Sequence, residues 1–255
     1  MFKFLLAILL AILPVVSSAT EALSAAERDA QSLSSAFMSY TDLRIRSVQQ
    51  SLEILASTPE AQSGVWENMK GLLGGYQKSD DGLIAWFVRP DGSYYTVDKG
   101  LMNVSLSDRD YFPDLMADRE VTGALVISKS TGRRSAVIAV PIKSRGKVVG
   151  AIGASVFLDV FAEHIASVLD LRPEATFFAL APNGLTTLHR KTERHFLDPR
   201  ELGSETLKNA VNEMLSADSG VISYQFDNAT KTAVYLTSPL TRWKFVITFG
   251  ATAKP

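Results

Sequence analysis

The segment Trp86-x-Val88-x-Pro90-Asp91-Gly92 recurs 92 residues later as Phe178-x-Leu180-x-Pro182-Asn183-Gly184. Both describe an apolar strand running into a hairpin turn, in which proline fixes φ at one position and glycine accepts a positive φ at another. The echo continues downstream. Ala136-Val137 leads to Pro141-Ile142 and a last apolar strand, and Ala233-Val234 leads to Pro239-Leu240 and a last apolar strand, with the spacing one residue longer in the second case. A chain patterned this way is constrained to two copies of one α+β unit. Each copy reads strand, turn, strand, a helix-containing connection and a three-strand antiparallel meander. The runs place strands at 83–88, 93–97, 124–128, 136–142 and 148–156 in the first copy, and at 175–180, 186–189, 221–226, 232–237 and 243–249 in the second. Helices are expected at 158–169 and within 199–217.

Ahead of the first copy, residues 21–57 read as one helix. Leu23, Ala26, Ala30, Leu33, Phe37 and Tyr40 follow a 3-4 spacing; the phase slips by one residue, and Ile45, Val48, Leu52 and Leu55 continue it. No glycine or proline intervenes before Pro59. Such a helix is ~50 Å long, more than one small unit can cover. It must therefore lie along both units, or along a second copy of the chain, which makes residues 21–57 a candidate homodimer surface. A shorter helix is expected at 61–73, ended by Gly74-Gly75, with a turn at Ser79-Asp80-Asp81-Gly82.

The N-terminus has the form of a cleaved export signal. Lys3 precedes an apolar run from Phe4 to Val16, and Ser17-Ser18-Ala19 supplies the small residues of a cleavage site. The run spans only ~20 Å as a helix, short of the ~30 Å hydrocarbon core. The expected organisation is a signal peptide at 1–19, helices at 20–78, a first unit at 79–158, a connecting helix at 159–171, a second unit at 172–250 and a tail at 251–255. The expected location is the periplasm.

Composition removes several function classes. There is no cysteine, which excludes disulfides, thiol chemistry and cysteine-bound metals. The net charge of −1 comes without a basic run, so nothing here fits nucleic acid. No Gly-x-Ser-x-Gly, His-Glu-x-x-His, Walker A or Gly-x-Gly-x-x-Gly motif occurs, and no enzymatic activity, metal or cofactor is expected. Of the three histidines, His164 falls on an apolar helical stripe and reads as a core residue. His189 and His195 sit among Arg190, Lys191 and Arg194 and read as a solvated basic loop.

Ser105-Leu106-Ser107-Asp108-Arg109-Asp110-Tyr111-Phe112 is followed by Thr122-Gly123 and then Ile127-Ser128-Lys129-Ser130-Thr131-Gly132-Arg133. Ala139-Val140-Pro141-Ile142 and Gly146-Lys147-Val148-Val149-Gly150 complete the series. Together these resemble the signature of the extracellular double Cache sensor domains, also called PDC domains. The resemblance implies a fold of two PAS-like modules behind a long N-terminal helix, each a mainly antiparallel sheet with flanking helices. It also implies a small-molecule pocket in the first module and, often, an empty second module.

In that family the Arg-x-aromatic-aromatic element lines the pocket, which here means Arg109, Tyr111 and Phe112. A guanidinium matches a carboxylate bidentately, and aromatic walls supply apolar area. Of Tyr94 and Tyr95, strand alternation turns one inward, and Tyr95 is favoured. Lys129 reaches either the pocket mouth or solvent. Amino-acid-binding members carry an aspartate that accepts the ligand ammonium, and Ser155 stands at that place here. A hydroxyl cannot neutralise an ammonium, so a carboxylate without an amine is favoured over an amino acid. The expected function is a stand-alone periplasmic ligand-binding protein reporting to a membrane sensor kinase, cyclase or chemoreceptor. The alternative is an interaction or scaffold protein with a vestigial pocket.

Overall fold

The computed structural model describes residues 24–250. The expected signal peptide, its cleavage site and the 251–255 tail lie outside these residues. Helix α1 (Ala25–Ala56) starts at a capping box: the Glu27 N–H donates to the Ser24 hydroxyl at 3.2 Å, and the Ser24 N–H donates to the Glu27 carboxylate at 2.7 Å. Its buried face is Ala30, Ser34, Phe37, Thr41, Ile45, Val48, Leu52 and Ala56. Three interleaved series, 30-41-52, 34-45-56 and 37-48, repeat every 11 residues. That spacing is ~3.67 residues per turn, close to the natural helical period, so the stripe stays on one side of a nearly straight helix. The expected phase slip after Tyr40 does not occur. Ser34 and Thr41 hold the stripe where apolar residues were sought, and Ser34 Oγ donates to the Val234 carbonyl at 3.0 Å.

After α2 (Pro59–Gln62), helix α3 (Trp66–Lys78) runs straight through Gly74-Gly75, where a stop was expected. Each glycine costs roughly 1 kcal/mol in a helix. Burial of Trp66, Met69 and Leu73 offsets this, and Gln77 ties the end of the helix to the sheet by accepting from the Ala85 N–H at 2.9 Å.

The first sheet comprises β1 (Leu83–Val88), β2 (Ser93–Thr96), β3 (Gly100–Ser105), β4 (Val121–Ile127), β5 (Arg134–Ser144) and β6 (Lys147–Phe157), with α4 (Phe112–Met116) between β3 and β4. Its order is β3-β2-β1-β6-β5-β4, antiparallel throughout. Helix α5 (Leu158–Leu169) leads to the second sheet. There β7 (Thr176–Leu180), β8 (Thr186–His189), α6 (Glu205–Ser216), β9 (Ser219–Phe226), β10 (Ala229–Thr237) and β11 (Lys244–Gly250) give the order β8-β7-β11-β10-β9, again antiparallel. In both sheets the first strand pairs with its hairpin partner on one side and the last strand on the other, as the repeat requires. Gly92 and Gly184 close the two hairpins at φ +84° and +92°. A side chain at Gly92 would strike Ser105 and Ser107. Strand β3 was not expected; it is an edge strand with no buried residue and no apolar alternation.

Helix α1 covers the inner faces of both sheets. Phe37 meets Phe177 and Phe245 edge-on at 5.1 and 4.8 Å between ring centres. A single core runs along the helix from Phe87, Ile138 and Ile152 to Phe177, Phe245 and Ile247. The length of the helix is thus used within one chain. Leu43 and Ile54, on its outer side, remain 67% and 68% exposed. Phe37→Ala should destabilise the protein by about 3–5 kcal/mol in chemical denaturation, and Leu43→Ala by less than about 0.5. Comparable losses for both would contradict this use of the helix.

Candidate ligand-binding site

The outer face of the first sheet, opposite α1, is closed by α4 and the two loops that flank it. Strand register assembles this face. Trp86 pairs with Gly153 and Val88 with Tyr94, so Trp86 and Tyr94 point outward together. The indole lies across Gly153, where a Cβ would collide with the ring, and its Nε1 donates to Ser155 Oγ at 3.1 Å. Tyr111 packs beside the indole, 6.4 Å between ring centres.

Arg109 enters from the loop before α4. Its Nη2 donates to the Ile127 carbonyl at 2.7 Å, while its Nε is buried and lacks a partner. The Tyr94 hydroxyl is also buried and makes no well-formed hydrogen bond, with the Ser130 hydroxyl beside it. Ser128 and Ser130 share a hydrogen bond of 3.1 Å. Lys129 Nζ crosses the opening, donating to the Ser105 carbonyl at 2.6 Å and to Asp108 at 2.5 Å.

These groups surround a space of about 20 Å³, enough for one water. Its lining contains two cations, Arg109 and Lys129, and no carboxylate. Burial pushes the Tyr111 phenol up to about 12 against the pull of Arg109, so it remains a donor. The hydrogen bond and charge of Lys129 hold Asp108, at the rim, below the usual carboxylate range.

Arg109, Tyr111, Lys129 and Ser155 therefore converge. Two candidates do not. Phe112 opens α4 and packs with Leu115 in the apolar layer, away from the space. Tyr95 points to the opposite face, stacked on Trp66 at 5.1 Å and on Phe87 at 6.1 Å. Counting the register through the Pro90-Asp91-Gly92 turn would have selected Tyr94, because cross-strand partners share a face and Val88 lies with Trp86. Trp86, Ser128 and Ser130 had no such cue, since the sequence reads them as core or loop.

All three histidine expectations are corrected. His164 is exposed, because the buried side of α5 is Leu158, Phe161, Ala162, Ile165 and Leu169. His189 and His195 are buried, at 6% and 1% exposure. Strand β8 is buried along its whole length, and only the neighbouring Arg190 and Lys191 turn outward. His189 stacks on Phe178 at 6.0 Å, and its Nδ1 accepts from the Lys191 N–H at 2.7 Å. Burial, then the nearby Arg194, His195 and Lys191 charges, push its pKa down to about 3.

A sequence profile of the Cache domain matches residues 17–252. The chain belongs to the Cache domain family. Cache domains are extracellular ligand-binding sensory modules without catalytic activity, and this chain is a non-enzymatic sensory domain of that family. Solved structures share its fold. The sensory domain of the Campylobacter jejuni chemoreceptor Tlp3 with isoleucine bound aligns with a TM-score of 0.66 at 15% identity, covering 89% of this chain and 93% of that one. The extracellular domain of a candidate histidine kinase, rpHK1S-Z16, gives 0.73 at 17% identity over 88% and 94%. An extracellular ligand-binding receptor from Desulfohalobium retbaense gives 0.70 at 13% identity over 87% and 40%. Comparison with curated protein sequences returned no match. None of the described helices is long and apolar enough to cross a membrane.

A buried histidine held neutral ties stability to pH. Folding opposes protonation of His189, so its contribution is complete above ~pH 6.5 and declines as pH falls toward ~3. Relative to His189→Asn, whose amide oxygen can still accept from Lys191, the wild type should lose about 1–2 kcal/mol between ~pH 7 and ~pH 5. Parallel pH profiles of the denaturation midpoint would contradict this placement.

Proposed function

We propose that this Cache protein is a periplasmic ligand sensor that takes a small organic carboxylate on Arg109 and reports to a membrane signalling partner. The observation that carries this reading is the pair of orphaned polar groups, Arg109 Nε and the Tyr94 hydroxyl, at one small space. A buried donor without a partner costs about 1–3 kcal/mol, which a ligand oxygen would recover. Two cations with no lining carboxylate favour an anion. Ser155, already occupied by the Trp86 N–H, offers no charge to an ammonium. This favours a carboxylate without an amine, in contrast to the isoleucine named for the Tlp3 structure.

The small volume means that binding involves opening. The Lys129–Asp108 ion pair is the natural latch: Lys129 is mostly covered and Asp108 exposed, so the contact is exchangeable with water. Opening would carry Trp86 off Gly153 and move β6, which continues directly into α5 and the second sheet. The partner class that fits is a sensor kinase, cyclase or chemoreceptor. The exposed Leu43 and Ile54 keep the outer side of α1 available for homodimer formation.

The same small volume favours one other reading, an interaction protein whose pocket is vestigial. Calorimetry with a panel of organic acids and amino acids separates the two. An acid should bind the wild type, lose about 2–4 kcal/mol with Arg109→Ala and regain part with Arg109→Lys. Equal affinity in wild type and Arg109→Ala, or a preference for amino acids, would overturn the carboxylate assignment.

A further inference from the structure

The outer face of the second sheet repeats the geometry of the Arg109 site with smaller side chains. Phe178 pairs with Val246 as Trp86 pairs with Gly153, and Thr186 pairs with Leu180 as Tyr94 pairs with Val88. Thr248 pairs with Thr176 as Ser155 pairs with Ile84. Phe178, Thr186 and Thr248 are thus the register counterparts of Trp86, Tyr94 and Ser155. An indole and a phenol reduce the space beside Ser155 to about 20 Å³. With a phenyl ring and a threonine in their places, the second face leaves a partly open cavity of about 220 Å³. An engineered apolar cavity of about 150 Å³ is already large enough for benzene. The space in the second unit admits one six-membered ring with a substituent.

The walls define what that substituent is. One side is aromatic, formed by Phe178 and the His189 ring stacked on it. Because His189 Nδ1 accepts from the Lys191 N–H, the neutral imidazole carries its proton on Nε2, which has no acceptor among the described residues. Tyr224 and Thr248 add hydroxyls, and burial keeps the phenol protonated, its pKa pushed up to about 12. Three cations line the same cavity, Lys191, Arg194 and Lys231, and none of them forms an ion pair among the described residues. The Arg194 guanidinium is held over the Phe226 ring, 5.2 Å from its centre. Against them stand two acids, Glu174 and Asp227, leaving an excess of one positive charge. Cations free of ion pairs and neutral donors around an aromatic slot match a flat anion.

We infer that the second unit holds a small single-ring carboxylate in this cavity, with the ring against Phe178 and His189 and the carboxylate toward Arg194. The site lies in the other module from Arg109 and does not depend on the reading given to that residue. Such a ligand would sit beside β11 and β7, strands that pack on α1, and would place a second input on the same helix.

Benzoate titrated into the full protein by calorimetry is the test, with benzamide as its uncharged counterpart. Benzoate should bind wild type and Arg109→Ala alike. It should bind Arg194→Gln about tenfold more weakly, the loss of one charge-assisted contact at a partly exposed position. Benzamide should be weaker than benzoate by a similar factor. Thr186→Tyr restores the bulk of Tyr94 and should abolish binding; if it fails to fold, Arg194→Gln decides alone. No binding of benzoate at millimolar concentration, or equal affinity for benzamide, would overturn the inference. Loss of binding in Arg109→Ala with retention in Arg194→Gln would also overturn it, since benzoate would then occupy the first unit. The Arg109 reading fails separately, through the absence of any acid whose affinity depends on Arg109.

Discussion

One apolar stripe on one helix holds this molecule together. Each sheet has a hydrophobic inner face that its own strands cannot cover, and α1 covers both. The 11-residue spacing allows this, because a stripe that drifted around the helix could face one sheet but not the other. Phe37, between Phe177 and Phe245, secures the second sheet. Ile45, Val48 and Leu52 belong to the same continuous core as Phe87, Ile138 and Ile152 of the first. Polar bonds add direction: Ser34 reaches the Val234 carbonyl, and Ser238 donates to the Asp42 carboxylate at 2.8 Å. Burial pushes the Asp42 carboxyl up, with Ser238 and Arg46 opposing it.

With the inner faces committed to the helix, the outer faces are left for recognition. The duplication presents the same register twice, and side-chain size then decides what each face can do. In the first, Trp86 lies over a glycine and ties to Ser155, and two polar groups, Arg109 Nε and the Tyr94 hydroxyl, remain unsatisfied. In the second, Phe178 and Thr186 leave a partly open cavity lined by cations that form no ion pair among the described residues. The cost of orphaned polar groups in one face and the cost of unfilled volume in the other are both costs that the proposed ligands would remove.

The sequence made the architecture legible because the two Pro-Asx-Gly turns fix where strands end, and β1, β8 and α5 have the limits expected. It obscured elements whose buried positions are polar or whose signals conflict. Ser34 and Thr41 broke an apolar count that the helix itself keeps. Gly74-Gly75 reads as a stop, yet tertiary burial of Leu73 and the Gln77 bond to Ala85 carry α3 past it. Arg109, Tyr111, Lys129 and Ser155 could be read from a local motif. Tyr94 could not be separated from Tyr95 without the hairpin register, and Phe112 shares the motif but serves the core. The buried state of His189 and His195 was hidden by charged neighbours that point outward. The second cavity was invisible, because its residues come from five strands, helix α6 and the loops between them, with no contiguous pattern.

If the shared core is what unites the two modules, their stabilities cannot be separated. Hydrogen exchange followed by mass spectrometry in increasing urea tests this most directly, by comparing amides of β6 with amides of β11. Both strands should open with the same free energy and the same urea dependence, because neither inner face survives without α1. Exchange of β11 at markedly lower urea while β6 stays protected would contradict it and make the helix a tether between independent domains.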